Sequence, residues 1–298
     1  MNIEDYAYRN CESKNIAIRK NSTSMKNYLK KIKNIPKRIE REIEAARYRS
    51  GKYANQLRIL SSDDSLRYIE QHKISFYRYG DGEIAIMMGE GIPFQKADEQ
   101  LAKRLTTLLK TKEKGIKAAI PYCYFHYEKG LVPAVEGFNY AMKVQRRFLI
   151  SHCNRNQLYL DTSITQLYQS YETYDFEQYF ARVKKLFCGR NVTMICGEGI
   201  FKNIQYNLLE QCDAVTYQEA PSKNAFSEYP AILARALNSP KDSLICIVLG
   251  PTAKPLAYDL HKQGYQAWDI GHFIKDYDAY CKKTSRDEDS IAAFYRPD

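Results

Sequence analysis

The sequence predicts an α/β fold, in which a mostly parallel, Rossmann-like sheet is covered by helices on both faces. Strand-like runs alternate with helical patterns from residue 74 to residue 269, and such alternation is typical of a parallel sheet. Two of the runs, 192–196 and 244–249, are almost entirely apolar, as expected for central strands that are buried on both sides. A chain of 298 residues is also long enough to bury the core of such a fold.

The individual elements follow from local sequence signals. A first short helix is predicted to begin near Ser62, Asp63 and Asp64, which favour helix N-caps, and to end before Lys73. The strand-like runs are 74–79, 116–121, 192–196, 214–217, 244–249 and 265–269, and the helical patterns lie near 98–112, 133–147, 175–187, 200–211, 228–238 and 252–263. Residues 151–174 are irregular and rich in tyrosine, which suits a lid or a substrate-contacting insertion.

The N-terminal segment differs from the rest of the chain in charge. Residues 1–60 contain 15 Lys or Arg against 6 Asp or Glu, a net charge of +9, whereas the whole chain carries +10. Helical spacing from Ile35 to Leu60, with Pro36 in a first-turn position, predicts a basic, largely helical appendage over 1–60 and one main domain over 61–298. Such a segment suits a solvated helix, a nucleic acid, an anionic membrane surface or a phosphorylated ligand.

Composition argues against several classes of protein. The sequence shows no apolar stretch of about 18 residues, and its polar N-terminus lacks the apolar core of a signal peptide. Its eight cysteines form no Cys-x-x-Cys pair, which predicts reduced thiols rather than a disulfide framework or a zinc site. A cytoplasmic protein is therefore expected.

The most informative motif is Arg78-Tyr79-Gly80-Asp81-Gly82-Glu83, which directly follows a strand-like run. Parallel sheets bind their ligands where strands end. Asp81 and Glu83 supply the hard oxygen ligands that Mg²⁺ and Mn²⁺ prefer, and Gly80 allows the backbone to turn sharply and to approach a ligand. The same residues also suit a polar turn at a strand end, so the motif alone leaves both interpretations open.

Other predicted strands also end in residues suited to an anionic ligand. Gly197-Glu198-Gly199 follows one strand, and Gly250-Pro251-Thr252 with Lys254 follows another; exposed amides at such turns attract phosphate. Lys223 and Asn224 suit a phosphate, a ribose or a sugar hydroxyl, and Asp269 and His272 suit a metal shell or acid–base chemistry. Because the carboxyl ends of parallel strands meet at one edge, a nucleotide diphosphate with a divalent cation fits these residues best.

Together the motifs resemble the GT-D fold glycosyltransferases, a bacterial family first catalogued as a domain of unknown function. The resemblance extends from about Ser75 to Tyr280 and rests on Ser75–Glu83 with Phe94-Gln95, Gly197-Glu198, Pro221–Phe226, Leu249–Ala253, Leu256–Leu260 and Gly264–His272. The chain departs from the family pattern at two places. Ile200–Tyr206 stands where a serine-arginine pair and a glycine-rich turn are common, and Thr162–Thr165 stands where an arginine-proline pair is expected.

The resemblance implies a glycosyltransferase that moves a sugar from a UDP-sugar, with UDP-glucose a known donor, to a hydroxyl of a bacterial surface glycan or glycoprotein glycan. Asp81 and Glu83 match the family's Asp-x-Glu motif and are expected to hold Mn²⁺ or Mg²⁺. The expected nucleotide-sugar contacts are Arg78, Gly80, Gly197, Lys223, Asn224, Gly250, Pro251 and Thr252. The candidate groups for activating the acceptor are Glu198, Asp259, Asp269 and His272.

The acceptor is expected to be a glycoprotein or a lipid-linked glycan. The basic segment 1–60 lies outside the resemblance, and we expect it to bring the enzyme to anionic lipids at the inner face of the membrane. A non-catalytic nucleotide-sugar or nucleic-acid binding protein is the alternative, although the acidic pair repels a polyanion unless a metal is present, so nucleic acid is not an expected partner. A phosphoryl or pyruvyl transferase would use similar turns, but the sequence has no Gly-x-x-x-x-Gly-Lys-Ser/Thr loop.

Overall fold

A parallel sheet forms the centre of the molecule. The computed structural model describes residues 39–295. Eight strands lie in the order β1-β4-β3-β2-β8-β7-β5-β6, and each neighbouring pair is parallel. In chain order they are β1 Arg58–Ile59, β2 Ser75–Arg78, β3 Ile116–Ile120, β4 Leu158–Asp161, β5 Asn191–Gly197, β6 Ala214–Ala220, β7 Leu244–Val248 and β8 Gln266–Asp269. The predicted α/β fold is confirmed.

Helices cover both faces of this sheet. They are α1 at 39–49, α2 Ser62–His72, α3 Asp81–Met87, α4 Glu99–Lys110, α5 Pro133–Ala141, α6 Lys143–His152, α7 Leu167–Ser170, α8 Phe176–Phe187, α9 Tyr229–Ala236, α10 Ala253–Lys262, α11 Phe273–Lys282 and α12 Glu288–Phe294. The helices α3, α4, α9 and α10 share one apolar layer with Tyr77, whereas α2, α8 and α11 share the other with Phe76. Consecutive residues of a strand point to opposite faces of the sheet. Tyr77 and Phe76 therefore belong to different apolar cores, which the sheet separates.

Local signals in the sequence account for several of these elements. The Oγ of Ser61 accepts the N–H of Asp64 at 3.2 Å and caps α2. Asp98 caps α4 in the same way through the N–H of Leu101, at 2.8 Å. In β7 the residues 244–247 are all buried, which confirms the predicted central strand.

The predicted helix at 200–211 is wrong, because these residues form a series of turns. A carboxylate on α11 binds their backbone instead. The Oδ1 atom of Asp278, which is 6% exposed, accepts the N–H groups of Gln205 and Tyr206 at 2.9 and 3.0 Å. In a helix those N–H groups would bind carbonyl oxygens one turn earlier, so this tertiary contact replaces the helical bonds.

The interpretation of residues 151–174 as a lid is also wrong. This stretch contains β4, which lies inside the sheet between β1 and β3, followed by residues 162–171, most of which are buried. A strand of four residues is too short to show a clear alternating pattern. The single helix predicted at 133–147 is divided at Met142, which ends α5 and precedes α6.

Part of the predicted N-terminal appendage packs on the body of the protein, while residues 1–38 lie outside the described residues. Tyr48 of α1 is fully buried, and its hydroxyl donates to the carbonyl oxygen of His126 at 2.9 Å. The helix ends at residue 49 rather than continuing to Leu60, because Gly51, with φ of 72°, turns the chain. Over residues 39–295, we find no helix that is both long and apolar enough to span a membrane.

Candidate functional site

The two carboxylates of the central motif lie in the first turn of a helix. Gly80 is extended, with φ of −123°, and precedes α3. The Oε2 atom of Glu83 accepts the N–H of Gly80 at 2.8 Å, which is the backward bond of a capping box. Because helix residues two positions apart do not face each other, Asp81 is exposed whereas Glu83 is buried.

Glu83 belongs to a buried group of four charges, Arg78, Glu83, Lys254 and Asp269, which we call the charge cluster. Each member is at most 9% exposed. The Nζ of Lys254 lies 2.6 Å from Oε1 of Glu83 and 3.1 Å from Oδ2 of Asp269. The Nη2 atom of Arg78 lies 3.5 Å from Oδ1 of Asp269, and the backbone N–H of Arg78 donates to Oδ2 at 3.1 Å. Two cations and two anions make the cluster neutral, as burial of charge requires.

The order of the strands explains why these four side chains meet. β8 lies between β2 and β7, so Asp269 at the end of β8 reaches Arg78 on one side and Lys254 on the other. Burial acts to raise the pKa of Asp269, but the positive charges of Lys254 and Arg78 outweigh it and hold this pKa below its usual value. With 1% of its surface exposed, Asp269 is placed to stabilise the cluster rather than to contact an acceptor.

Arg78 lies against a glycine in the loop that follows β8. Its Nη1 atom donates to Oγ1 of Thr165 at 2.7 Å, and its Nε donates to the carbonyl oxygen of Asp269 at 3.1 Å. Gly271 has φ of 45°, and a Cβ there would lie 1.5 Å from Nη2 of Arg78. These bonds prevent the guanidinium group from moving aside, so position 271 requires glycine.

We expect Gly271→Ala to lower the free energy of unfolding by about 3 kcal/mol, since it strains the backbone and displaces Arg78 from Asp269. Urea denaturation followed by circular dichroism measures this loss. Gly264→Ala is the matched control, because Gly264 also has positive φ, 86°, but a Cβ there meets no atom within 4 Å. The control is expected to lose only about 1 kcal/mol from strain. Equal losses in the two variants would show that Arg78 imposes no requirement at Gly271.

The carboxylate of Asp81 could hold a metal ion. Partial burial of the carboxyl group, followed by the negative charge of Glu83, raises the pKa of Asp81, and a bound cation would favour its charged form. Mg²⁺ is commonly held by one or two carboxylates together with substrate phosphates and water. In the described part of the chain, no three His, Cys, Asp or Glu side chains converge. Asp81 therefore fits a metal that takes its other ligands from substrate and water.

His272 lies beside the charge cluster and under the C-terminal helix. Its ring contacts Phe294 and Tyr295 of the segment that ends α12, with centroid distances of 5.4 and 5.3 Å. Burial, followed by the nearby charges of Arg78 and Lys275, lowers the pKa of His272 to about 3. The imidazole is therefore neutral at pH 7 and is a weak base there.

The loop between α3 and α4 contacts both the turn after β7 and the turn after β6. Gly250 faces the ring of Phe94, and a Cβ at Gly250 would lie 2.6 Å from Cε2 of that ring. Asn224 donates its backbone N–H to the carbonyl oxygen of Phe94 at 2.8 Å, and its Oδ1 accepts the N–H of Lys96 at 2.8 Å. The side-chain oxygen of Asn224 thus positions this loop beside the end of β7.

The remaining predicted contacts differ in exposure. A Cβ at Gly197 would lie 3.1 Å from Cα of Ser222, so the turns after β5 and β6 are in close contact. Glu198 and Lys223 are exposed. Pro251 and Thr252 are buried, and no hydrogen-bond partner of the Thr252 Oγ1 is found within residues 39–295. Both residues shape the turn rather than present groups to a ligand.

Two residues of the site were missed as site residues by sequence reasoning. The sequence indicates Lys254 only as a cation in the turn after β7, and Thr165, which binds Arg78, carries no signal in the sequence. Asp259, by contrast, was a candidate base but lies in the second half of α10. It pairs with Arg104 and accepts the hydroxyl of Tyr229 at 2.6 Å, so it ties α10 to α4 and α9.

Known proteins share this architecture. Residues 76–291 match the family described as "Glycosyltransferase GT-D fold". A solved structure described as the domain of unknown function 1792, with a distinct glycosyltransferase fold, is 32% identical, has a TM-score of 0.74 and covers 79% of this chain and 85% of its own. A glycosyltransferase of the same domain type from Streptococcus sanguinis is 27% identical, with a TM-score of 0.72 and coverage of 77% and 86%.

Two curated streptococcal proteins are also similar. The probable glycosyl transferase Gly of Streptococcus gordonii is 29% identical over 225 residues, which are 75% of this chain and 33% of that protein. The glycosyltransferase GlyD of Streptococcus pneumoniae serotype 4 is 25% identical over 224 residues, 74% of this chain and 27% of that protein. The chain thus spans about a third or less of the length of these relatives. From the family match over residues 76–291 and the shared fold, we conclude that the chain belongs to the GT-D fold glycosyltransferase family.

Proposed function

We propose that this chain transfers a sugar from a UDP-sugar to a hydroxyl group of a bacterial surface glycan or glycoprotein glycan, with Mn²⁺ or Mg²⁺ as cofactor. The observation that carries the proposal is the position of Asp81, an exposed residue with a partly buried carboxyl group, at the start of α3 and beside a charge cluster that is neutral by itself. Its negative charge attracts a cation, and the amides of the helix N-terminus attract phosphate. Family membership supports sugar transfer, and glucose is the sugar that the resemblance favours.

The residues of the site would have different roles in this reaction. Asp81 would hold the metal, whose charge would stabilise the leaving diphosphate as the glycosidic bond breaks. Glu83 keeps the first turn of α3 in place through its bond to Gly80. Arg78 fixes the carboxylate of Asp269 at the neighbouring strand end, while its guanidinium is also bound to Thr165. The turns at Gly197, Lys223 and Gly250 would contact the nucleotide from the neighbouring strand ends.

Glu198 is the group we propose for activating the acceptor, because an inverting transfer needs a base. The carboxylate of Glu198 is exposed. The other candidates are less suited to this role, since Asp269 is buried and the pKa of His272 is about 3. Glu198→Gln should therefore lower kcat without changing the binding of UDP, and unchanged kcat would assign the role elsewhere.

We further propose that the protein works at the cytoplasmic face of a membrane, held there by the basic residues 1–60. Anionic lipids attract clusters of Lys and Arg. Liposome flotation should compare the given chain with one that begins at Ile39, because α1 and β1 belong to the folded body. Equal flotation of the two would exclude membrane contact through residues 1–38.

The central experiment is a thermal-shift screen with UDP-, GDP-, CMP- and TDP-sugars, with and without Mn²⁺, followed by assays of nucleotide release. We expect UDP-sugars to raise the melting temperature in the presence of Mn²⁺, since a ligand that binds only the folded state stabilises it. Stabilisation without release of UDP in the presence of glycan acceptors would support the alternative, a non-catalytic nucleotide-sugar binding protein. A response to none of the nucleotides would contradict both functions.

A further inference from the structure

We propose that Lys254 is a positioning residue whose ammonium group permanently occupies the place between Glu83 and Asp269 that a divalent cation could otherwise take, so that metal binding is left to Asp81. The inference rests on the metal-dependent transfer proposed above. It concerns a residue that the Asp-x-Glu spacing does not reveal, because Lys254 follows β7 whereas the motif follows β2.

The contacts of Lys254 use all of its hydrogen-bonding capacity. A lysine ammonium group has three donors. Nζ of Lys254 lies 2.6 Å from Oε1 of Glu83, 3.1 Å from Oδ2 of Asp269 and 3.0 Å from the carbonyl oxygen of Gly250. The residue is 2% exposed, so its ammonium group does not reach a substrate. Its role in the site is therefore to hold other groups.

These three contacts connect three strand ends. Glu83 belongs to α3 after β2, Gly250 to the turn after β7, and Asp269 to the end of β8. The first two of these segments carry residues that we expect to contact the nucleotide-sugar. Because Glu83 also binds the N–H of Gly80, the cation at Lys254 helps to fix the first turn of α3, where Asp81 lies.

The charge of Lys254 also determines how a metal can bind. Both oxygens of Glu83 are occupied, one by Lys254 and one by the N–H of Gly80. Asp81 is then the carboxylate of the motif that remains open to a cation. One carboxylate gives weak affinity for Mg²⁺ or Mn²⁺, whereas the diphosphate of a nucleotide adds strong oxygen ligands. We therefore expect the metal to enter together with the nucleotide.

Replacement of Lys254 by methionine tests this inference. Methionine removes the charge and leaves oxygens of Glu83, Asp269 and Gly250 facing one space, a ligand set suited to Mn²⁺. We expect Lys254→Met to bind Mn²⁺ about tenfold or more tightly in the absence of nucleotide. We also expect kcat to fall, because Glu83 then leaves its position. Lys262→Met is the matched control on the same helix, since Lys262 is exposed and pairs with Glu113 at 3.1 Å, which is not a member of the charge cluster.

The affinity for Mn²⁺ without nucleotide, measured by electron paramagnetic resonance, distinguishes the proposed role of Lys254 from a purely structural one. A purely structural role for Lys254 would lower stability without changing that affinity. The double variant Glu83→Gln with Lys254→Met removes one anion together with the cation. It should lose the gain in Mn²⁺ affinity and recover melting temperature relative to Lys254→Met, a comparison that also holds if the single variant folds poorly.

Two outcomes would overturn the inference. One is a Mn²⁺ affinity of Lys254→Met equal to that of the wild type and of Lys262→Met, and the other is failure of Glu83→Gln to restore stability. Both measurements are independent of sugar transfer. If Lys254→Met gains Mn²⁺ affinity but the wild type neither binds nor turns over any nucleotide-sugar, the role of Lys254 stands and the proposed function fails.

Discussion

Asp81→Asn is expected to abolish sugar transfer while leaving the fold intact. Loss of the metal-binding carboxylate should lower kcat by about a thousandfold, since a catalytic metal contributes several kcal/mol of charge stabilisation. Stability should change little because Asp81 is exposed. Removing a negative charge from a helix N-terminus costs about 0.5 kcal/mol. Burial of the carboxyl group, followed by the charge of Glu83, raises the pKa of Asp81, so removal of the charge also relieves both penalties and offsets part of that cost.

UDP release in the presence of Mn²⁺ measures the activity, and circular dichroism measures the melting temperature. Glu90→Gln is the matched control, since Glu90 is exposed just beyond α3 and is expected to keep wild-type turnover. Asp81→Asn that turns over UDP-sugar at the wild-type rate with EDTA present would remove the metal from the proposed mechanism.

The positions of the strand ends could be predicted from the sequence, but which strands lie side by side in the sheet could not. The apolar runs at 192–196 and 244–249 and the turn residues after them identified β5, β7 and the segments of the site. The bond between Arg78 and Asp269 joins residues 191 positions apart. No local pattern specifies that β8 lies beside β2, and this adjacency is what builds the charge cluster.

The same limit explains why the sequence does not distinguish the two carboxylates of the motif. Spacing alone allows Asp81 and Glu83 to bind one metal if the backbone is extended. The capping bond from Gly80 to Glu83 makes the segment helical instead, and Lys254 then binds Glu83 from a different strand end. The turns at 200–211 were mispredicted for a related reason, since Asp278 on a distant helix binds their backbone.

The second large effect is expected at Arg146, which joins α1 to the body of the protein. Arg146 is 1% exposed, and its guanidinium binds Oε1 of Glu44 on α1 at 3.0 Å as well as the carbonyl oxygens of Tyr124 and Asn139. We expect Arg146→Met to lower the free energy of unfolding by about 3–5 kcal/mol, because Glu44 would remain buried without its cation. Urea denaturation monitored by circular dichroism measures the loss.

Arg147→Met is the matched control, since Arg147 is the next residue on α6 and is exposed; its stability should stay within about 0.5 kcal/mol of the wild type. Adding Glu44→Gln to Arg146→Met should recover part of the loss, because the buried charge is then removed together with its partner. The shape of the unfolding curve shows whether α1 unfolds together with the sheet or separately. If residues 39–60 formed a separate appendage, breaking the Arg146–Glu44 pair would release α1 in an early transition and leave the main midpoint unchanged. A single transition that shifts as a whole would instead show that α1 unfolds with the sheet, and that the folded domain begins before residue 61.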